Sequence, residues 1–306
     1  MKILKRRRHS QRYKPVILVT GCSSGIGLAL ARRLWTLYDY RVVITVRQNS
    51  LDKIKDDKFH NTDRFWIQHL DVTSSEDRKR LIDEILEKWG KVDILVNNAG
   101  ISFRAVVEHM DSQTERLQLE TNYLGPMGLI RLVLPSMRMS GRGKIINVSS
   151  VSGMLAMPTM ASYSASKHAL EGASEALWYE MRPLGINVTL IQPGFIRSHS
   201  FRNVVYSAQS ALSQAAGGPY SDYYRHMTPF ISKTMQKSRT TPEKVARTIL
   251  NVIRTENPPL RVPASLDAFL FFYIRRFFPR RFLHPFLFFC LPGSGKWGER
   301  YSKKRD

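Results

Sequence analysis

From Pro15 to about Gln192, short apolar runs alternate with longer stretches whose apolar residues recur at helical spacing. Val16–Val19, Val42–Val46, Phe65–Ile67, Val92–Val96, Lys144–Val148 and Val188–Ile191 read as six strands, and Pro259–Pro263 adds a seventh after a helix that opens near Thr241-Pro242-Glu243. Strands this short and this apolar suit a parallel sheet covered on both faces, because a half-exposed antiparallel strand would alternate with polar residues. The helical stretches between them suit right-handed crossovers. The pattern therefore predicts one α/β domain built on a doubly wound parallel sheet of about seven strands, with helices on both faces.

Two regions break the rhythm. Residues 199–240 are rich in Ser, Tyr, Met and Gln and contain Gly217-Gly218-Pro219; they read as a mobile substrate lid with short helices. Residues 264–306 form an aromatic and basic extension, densest in Phe269–Phe278. The predicted layout is a basic tail over 1–14, a catalytic domain over 15–263 and this extension.

Composition sharpens the picture. The 306 residues suffice for one large core, and the net charge of +22 draws the chain to anionic partners. The charge gathers at the ends, in Lys2–Lys14 and in Arg275, Arg276, Arg280, Arg281 and Lys303–Arg305. That distribution, with no recognition motif, argues against nucleic acid as the partner. Two cysteines, Cys22 and Cys290, make no disulfide framework and fit a reducing compartment, the cytoplasm. No signal peptide, membrane-spanning run or zinc spacing is visible. Gly293-Ser294-Gly295-Lys296 is no phosphate loop, since Cys290 stands where that motif needs its first glycine.

The first strand runs into Thr20-Gly21-Cys22-Ser23-Ser24-Gly25-Ile26-Gly27, and a helical pattern begins at once. Strand, glycine turn and helix together make the phosphate-binding turn of a Rossmann-like fold. Gly21 permits the tight turn, Gly25 lets backbone approach a pyrophosphate, and Gly27 allows close helix packing. The helix N-terminus supplies free N–H groups and a favourable dipole, with Ser23, Ser24 and Ile26 lining the same turn. An NAD site usually ends the second strand with an acid for the ribose 2′-hydroxyl; here Val46 and Arg47 stand there, and Arg47 suits a 2′-phosphate. The expected cofactor is NADP(H) rather than NAD(H).

Tyr163-Ser164-Ala165-Ser166-Lys167 places a phenol and an amine four residues apart, on one face of a helix. A nearby ammonium favours phenolate and is expected to lower the tyrosine pKa toward neutrality. Ser150, just past the fifth strand, can donate to a substrate carbonyl; Asn97-Asn98-Ala99-Gly100 closes the fourth strand, and Asn122 follows in Thr121–Gly125. Such strand ends are where open α/β sheets bind ligands.

Taken in order, the turn at Thr20–Gly27, Asp71-Val72, Asn97–Gly100, Asn122, Ser150, Tyr163 with Lys167, and Pro193-Gly194 resemble the classical short-chain dehydrogenase/reductase family, over roughly residues 15–200. The resemblance implies reversible hydride transfer between a nicotinamide and a carbonyl or alcohol carbon, with the cofactor carrying the hydride. It implies that Tyr163 is the general acid/base, that Lys167 holds the nicotinamide ribose and tunes Tyr163, that Ser150 orients the substrate oxygen and that Asn122 holds a relay water. It also implies that Asp71 and Val72 meet the adenine, that Asn98, Ala99 and Gly100 line the cleft, and that Pro193, Gly194, Ile196 and Ser198 border the nicotinamide. Ser198 departs slightly from the family's usual threonine but keeps the hydroxyl. The turn and Arg47 are similar to the branch that handles steroids, retinoids and other lipid alcohols or ketones, and homo-oligomers are common in the family.

The extension can be read in two ways: an amphipathic element lying on a membrane with its arginines at the headgroups, or an arm packed over the substrate cleft or a partner subunit. A non-catalytic cofactor-binding scaffold is the alternative to an enzyme; intact Asn122, Ser150, Tyr163 and Lys167 weigh against it.

Overall fold

The computed structural model describes residues 13–55, 57–197, 205–206, 209–211 and 218–298, without the side chains of Val205, Tyr206 and Arg280. Nearly all of the basic N-terminal tail, Ser198, much of the expected lid and the basic end of the extension lie outside the described residues.

Seven parallel strands form one sheet in the order β3-β2-β1-β4-β6-β7-β9. They are β1 (Val16–Val19), β2 (Arg41–Val46), β3 (Phe65–His69), β4 (Ile94–Asn97), β6 (Gly143–Val148), β7 (Ile186–Gln192) and β9 (Arg261–Pro263). A small parallel pair, β5 (Phe103–Arg104) with β8 (Val205–Tyr206), lies apart. Every residue of β1 is fully buried because it is central and covered on both faces. Burying each such Val, Leu or Ile contributes roughly 1.5–3 kcal/mol relative to exposure.

One face of the sheet is covered by α1 (Gly25–Trp35) packed against α7 (Pro242–Arg254), the other by α2 (Ser75–Trp89), α4 (Gly125–Met139) and α5 (Ala161–Met181). Local sequence sets their ends. Ser74 caps α2 by accepting from the Asp77 N–H at 3.1 Å, and Gly90 ends it at φ +79, exposed and with open space around its Cα. Pro242 starts α7, as the Thr241-Pro242-Glu243 signal predicts. α3 (Ser112–Leu119) runs into a π-helical turn at Glu120–Leu124 before α4.

Strand order reverses between β1 and β4, whose first crossovers run to opposite sides. A crevice at such a switch point, outside the strand C-termini, is the expected ligand site. The region read as a lid with short helices instead contains a 17-residue helix, α6 (Ser221–Lys237), which buries Tyr224, Met227 and Ile231 along one face. α8 (Leu266–Phe277) and α9 (Arg280–Cys290) follow β9, and no helix among the described residues is long and apolar enough to cross a membrane.

Candidate active site

The glycine turn follows β1 directly. Gly21 adopts φ +71, and a Cβ on it would lie 2.7 Å from the Ala99 Cα. Gly27 is tighter still: its Cβ would meet the Gly21 carbonyl oxygen at 2.2 Å and Asn98 Nδ2 at 2.5 Å. Gly27 therefore acts behind the cleft wall, letting α1 approach, as the turn's sequence implies. Thr20 ties the turn to the β4 end: its hydroxyl accepts from the N–H groups of Asn98 and Ala99, both at 3.0 Å. The Asn98 amide donates to the carbonyls of Thr20 and Gly21 at 2.9 and 3.0 Å. No side chain caps α1 at Ser24 and no acid stands in its first turn, so its N-terminus presents a bare positive dipole end to the cleft.

That cleft has a volume of about 810 Å³ and runs along the sheet's C-terminal edge. It brings together Gly21, Ser23, Ser24, Gly25, Ile26, Arg47, Asp71, Val72, Asn98, Ala99, Gly100, Ser150, Tyr163, Lys167, Pro193, Gly194 and Ile196 from the sequence reading. Gly27 and Asn122 stand behind the wall. Asp71 uses one carboxylate oxygen to accept from the N–H and hydroxyl of Thr73, at 2.9 and 2.7 Å. Sequence reasoning missed Lys53 and Arg104, which also line the cleft. Lys53 falls in a 3-10 turn after β2 that no periodicity marks. Arg104 belongs to a two-residue strand that only its distant partner β8 defines.

α5 carries Tyr163 and Lys167 on one face, and its buried serines 162, 164, 166 and 174 let it lie close to its neighbours. A buried chain of amides fixes it there: Asn97 Nδ2 donates to Asn147 Oδ1 and Asn147 Nδ2 donates to Ser174 Oγ, each at 2.9 Å. Ser150 lies two residues beyond β6, where it caps a short 3-10 turn by accepting from the Ser152 N–H at 3.1 Å. Asn122 sits in the π turn, a distortion that recurs at functional sites. Its side chain exchanges two hydrogen bonds with the Ile101 backbone at 2.9 Å and donates to Ser166 Oγ at 3.0 Å, bracing the segment after Gly100.

Electrostatics depart from the sequence expectation in one respect. The Tyr163 pKa is raised, not lowered: burial raises it, and a hydrogen bond with Ser150 and the charge of Arg104 only partly offset this. The Lys167 Nζ lies 6.0 Å from the phenol ring centroid and donates to the Val148 carbonyl at 2.9 Å. Burial pulls the Lys167 pKa down to about 8, opposed by the charge of Glu171. Cys22, beneath the turn, is fully buried with its thiol pushed up to about 12, so it packs and is no nucleophile.

The arrangement is a dinucleotide crevice ending at a Ser-Tyr-Lys cluster, and comparison with known proteins gives it a family. The family model described as short chain dehydrogenase matches residues 15–208. The chain belongs to the short-chain dehydrogenase family. The 3-ketodihydrosphingosine reductase of Bacteroides thetaiotaomicron is 33% identical to this dehydrogenase over 248 residues, covering 80% of this chain and 86% of the relative. A short-chain dehydrogenase from Streptomyces avermitilis superposes with a TM-score of 0.72 at 32% identity, covering 85% of this chain and 91% of that one. ElxO, solved with NADP bound, superposes with a TM-score of 0.65 at 27% identity, covering 82% and 98%. The short-chain dehydrogenase is thus an oxidoreductase that shares the fold of these relatives.

Proposed function

We propose that the chain interconverts a carbonyl and an alcohol on a lipid-like substrate, using NADP(H). The observation that carries this reading is the convergence of Ser150, Tyr163 and Lys167 at one end of a crevice whose other end carries the glycine turn and Arg47. The residues present fit a dinucleotide. The turn has no room for a Cβ at Gly21 or Gly27, and the uncapped α1 N-terminus suits a pyrophosphate. Arg47 and Lys53 would hold a 2′-phosphate, Asp71 and Val72 the adenine, and Pro193, Gly194 and Ile196 the nicotinamide end. Ser198 would join them from outside the described residues.

A bound nicotinamide supplies or accepts the hydride. In the reducing direction Tyr163 Oη gives its proton to the substrate oxygen as that oxygen becomes a hydroxyl. The raised pKa keeps the phenol protonated for this step. The Ser150 hydroxyl donates to the same oxygen, and Lys167, braced on the Val148 carbonyl, holds the ribose. Asn122 braces the backbone next to Lys167, with its side-chain amide committed to Ile101 and Ser166: a Cβ on Gly100 would lie 3.2 Å from Asn122 Oδ1 and 3.8 Å from Lys167 Nζ.

Phe103, Leu117, Val151, Met157, Met160 and Met235 make the wall near Tyr163 apolar, which suits a lipid-like substrate. Met235 comes from α6, which supports the reading of residues 199–240 as a lid. The relative named 3-ketodihydrosphingosine reductase points to the same chemical class. Exposed aromatics on α8 and α9, interleaved with arginines, support peripheral contact with a membrane.

A panel of long-chain ketones and alcohols with NADPH or NADP+, read by the absorbance of the reduced cofactor, tests the activity. Tyr163→Phe is expected to cut kcat by about 10²–10⁴-fold with NADPH binding intact. Near wild-type turnover would overturn its proton-transfer role, and tighter binding of NADH than of NADPH would overturn the cofactor preference.

A further inference from the structure

The cofactor motifs all lie before residue 200, yet the backbone of the loop Pro193–Ile196 is held from about seventy residues further on. The Gly194 N–H donates to Ser265 Oγ at 2.9 Å, and the Phe195 N–H donates to Asp267 Oδ2 at 2.7 Å. The Ala264 N–H donates to the Gln192 carbonyl at 2.9 Å, so the chain leading into α8 first pairs with β7 and then crosses over the loop. The approach is close: a Cβ on Gly194 would stand 2.0 Å from Asp267 Oδ2. A side chain at 194 would therefore displace the Asp267 carboxylate from the loop.

An acid in the first turn of a helix ordinarily serves the helix dipole. Asp267 instead turns one oxygen onto the backbone of a different element. Two successive loop N–H groups that would otherwise lack secondary-structure partners thereby gain them, one from each side chain. The same helix also packs on the turn that follows Ser150. Ala268 is fully buried against Val151 and Met154, with Phe271 and Phe272 packed around them, just past Ser150. The Val151 N–H closes the ring by donating to the Pro193 carbonyl at 2.9 Å.

We propose that Ser265 and Asp267 are positioning residues of the cofactor site, holding the Gly194-Phe195 backbone in the conformation that receives the nicotinamide end of the dinucleotide. α8 is then part of the catalytic unit rather than a trailing arm. The inference rests on the dinucleotide reading above, and the test separates the two.

The full chain is titrated with NADPH by fluorescence, and steady-state kinetics and thermal unfolding are measured alongside. Asp267→Ala is expected to weaken NADPH binding about tenfold, the scale of one hydrogen bond to a charged acceptor. KM for NADPH should rise more than kcat falls. Asp267→Asn keeps an oxygen acceptor and should stay within about threefold of wild type, a rescue that a role for the charge alone would not produce, whereas Asp267→Leu, which keeps the bulk without an acceptor, should fall with Asp267→Ala. Ser265→Ala, which loses the Gly194 bond and the cap on the Ala268 N–H at the start of α8 but retains Asp267, should fall between them and, read together with its Tm, decides the matter if Asp267→Ala does not fold. NADPH affinity within twofold of wild type in folded Asp267→Ala, or in Ser265→Ala when the former is unfolded, would overturn the proposal. Equal losses in the Asn and Ala variants would overturn it too. A wild-type chain that binds neither NADPH nor NADH would instead overturn the dinucleotide reading, and this inference with it.

Discussion

Arg104 is 4% exposed, lines the cleft and lowers the pKa of Tyr163 through its charge. Arg104→Gln should let that pKa rise further, moving the alkaline limb of kcat/KM for carbonyl reduction to higher pH; a limb that stays put or moves down would show that the guanidinium does not act on the phenol. Lys167 gives a second test. Its native pKa of about 8 lies below the ordinary 10.5, so the native state holds this proton less tightly than the unfolded chain. Its contribution to stability is therefore least favourable below about pH 8 and improves as pH rises toward 10.5. Thermal unfolding of Lys167→Met without cofactor should show the variant's advantage over wild type largest near pH 7 and shrinking by pH 10. Tyr163, Lys167 and Ser150 were legible in the sequence because helix spacing and a strand end place them. The direction of the tyrosine's pKa shift was not, since burial depends on what packs around the phenol. Arg104 carried no signal at all: its place is set by pairing with β8 about a hundred residues on.

At the scale of elements, the strands and the helix after Thr241 followed from apolar runs and capping residues, which are local signals. α6 was longer than expected because its apolar residues are spread through a Ser-, Tyr- and Met-rich stretch, and burial of Tyr224, Met227 and Ile231 supplies what propensity does not. The π turn at Glu120–Leu124 was likewise invisible. It accompanies close packing at Gly125, where a Cβ would meet the Val72 carbonyl at 2.5 Å. The glycine turn leaves no space for added volume. Gly27→Ala places a methyl 2.2 Å from the Gly21 oxygen, and overpacking of this kind costs about 1–3 kcal/mol. The expected outcome is a lower Tm together with loss of NADPH binding, measured by thermal shift with and without the dinucleotide. An unchanged ligand-induced shift would remove the turn from the phosphate site.

Over the whole molecule, the parallel sheet was readable because its strands lack polar alternation, whereas the sequence left the aromatic extension open between a membrane face and an arm over the cleft, and only the structure shows α8 held against the Pro193–Ile196 loop. Leu266, Phe269, Leu270, Phe277, Phe282 and Phe289 are each at least half exposed, among arginines such as Arg276 and Arg281, in a chain of net charge +22. If this face meets a bilayer, the full chain should co-sediment with vesicles containing anionic lipid at low salt and be released as salt rises. Failure to pellet at low salt would leave the aromatic face to a protein partner.

Gly90 ends α2 at the pole of the sheet remote from the chemistry, with nothing crowding its Cα. A dye or surface tether grafted beside that turn would sit on the far side of the strands from Ser150, Tyr163 and Lys167, making it a natural handle for immobilising the enzyme while turnover is watched.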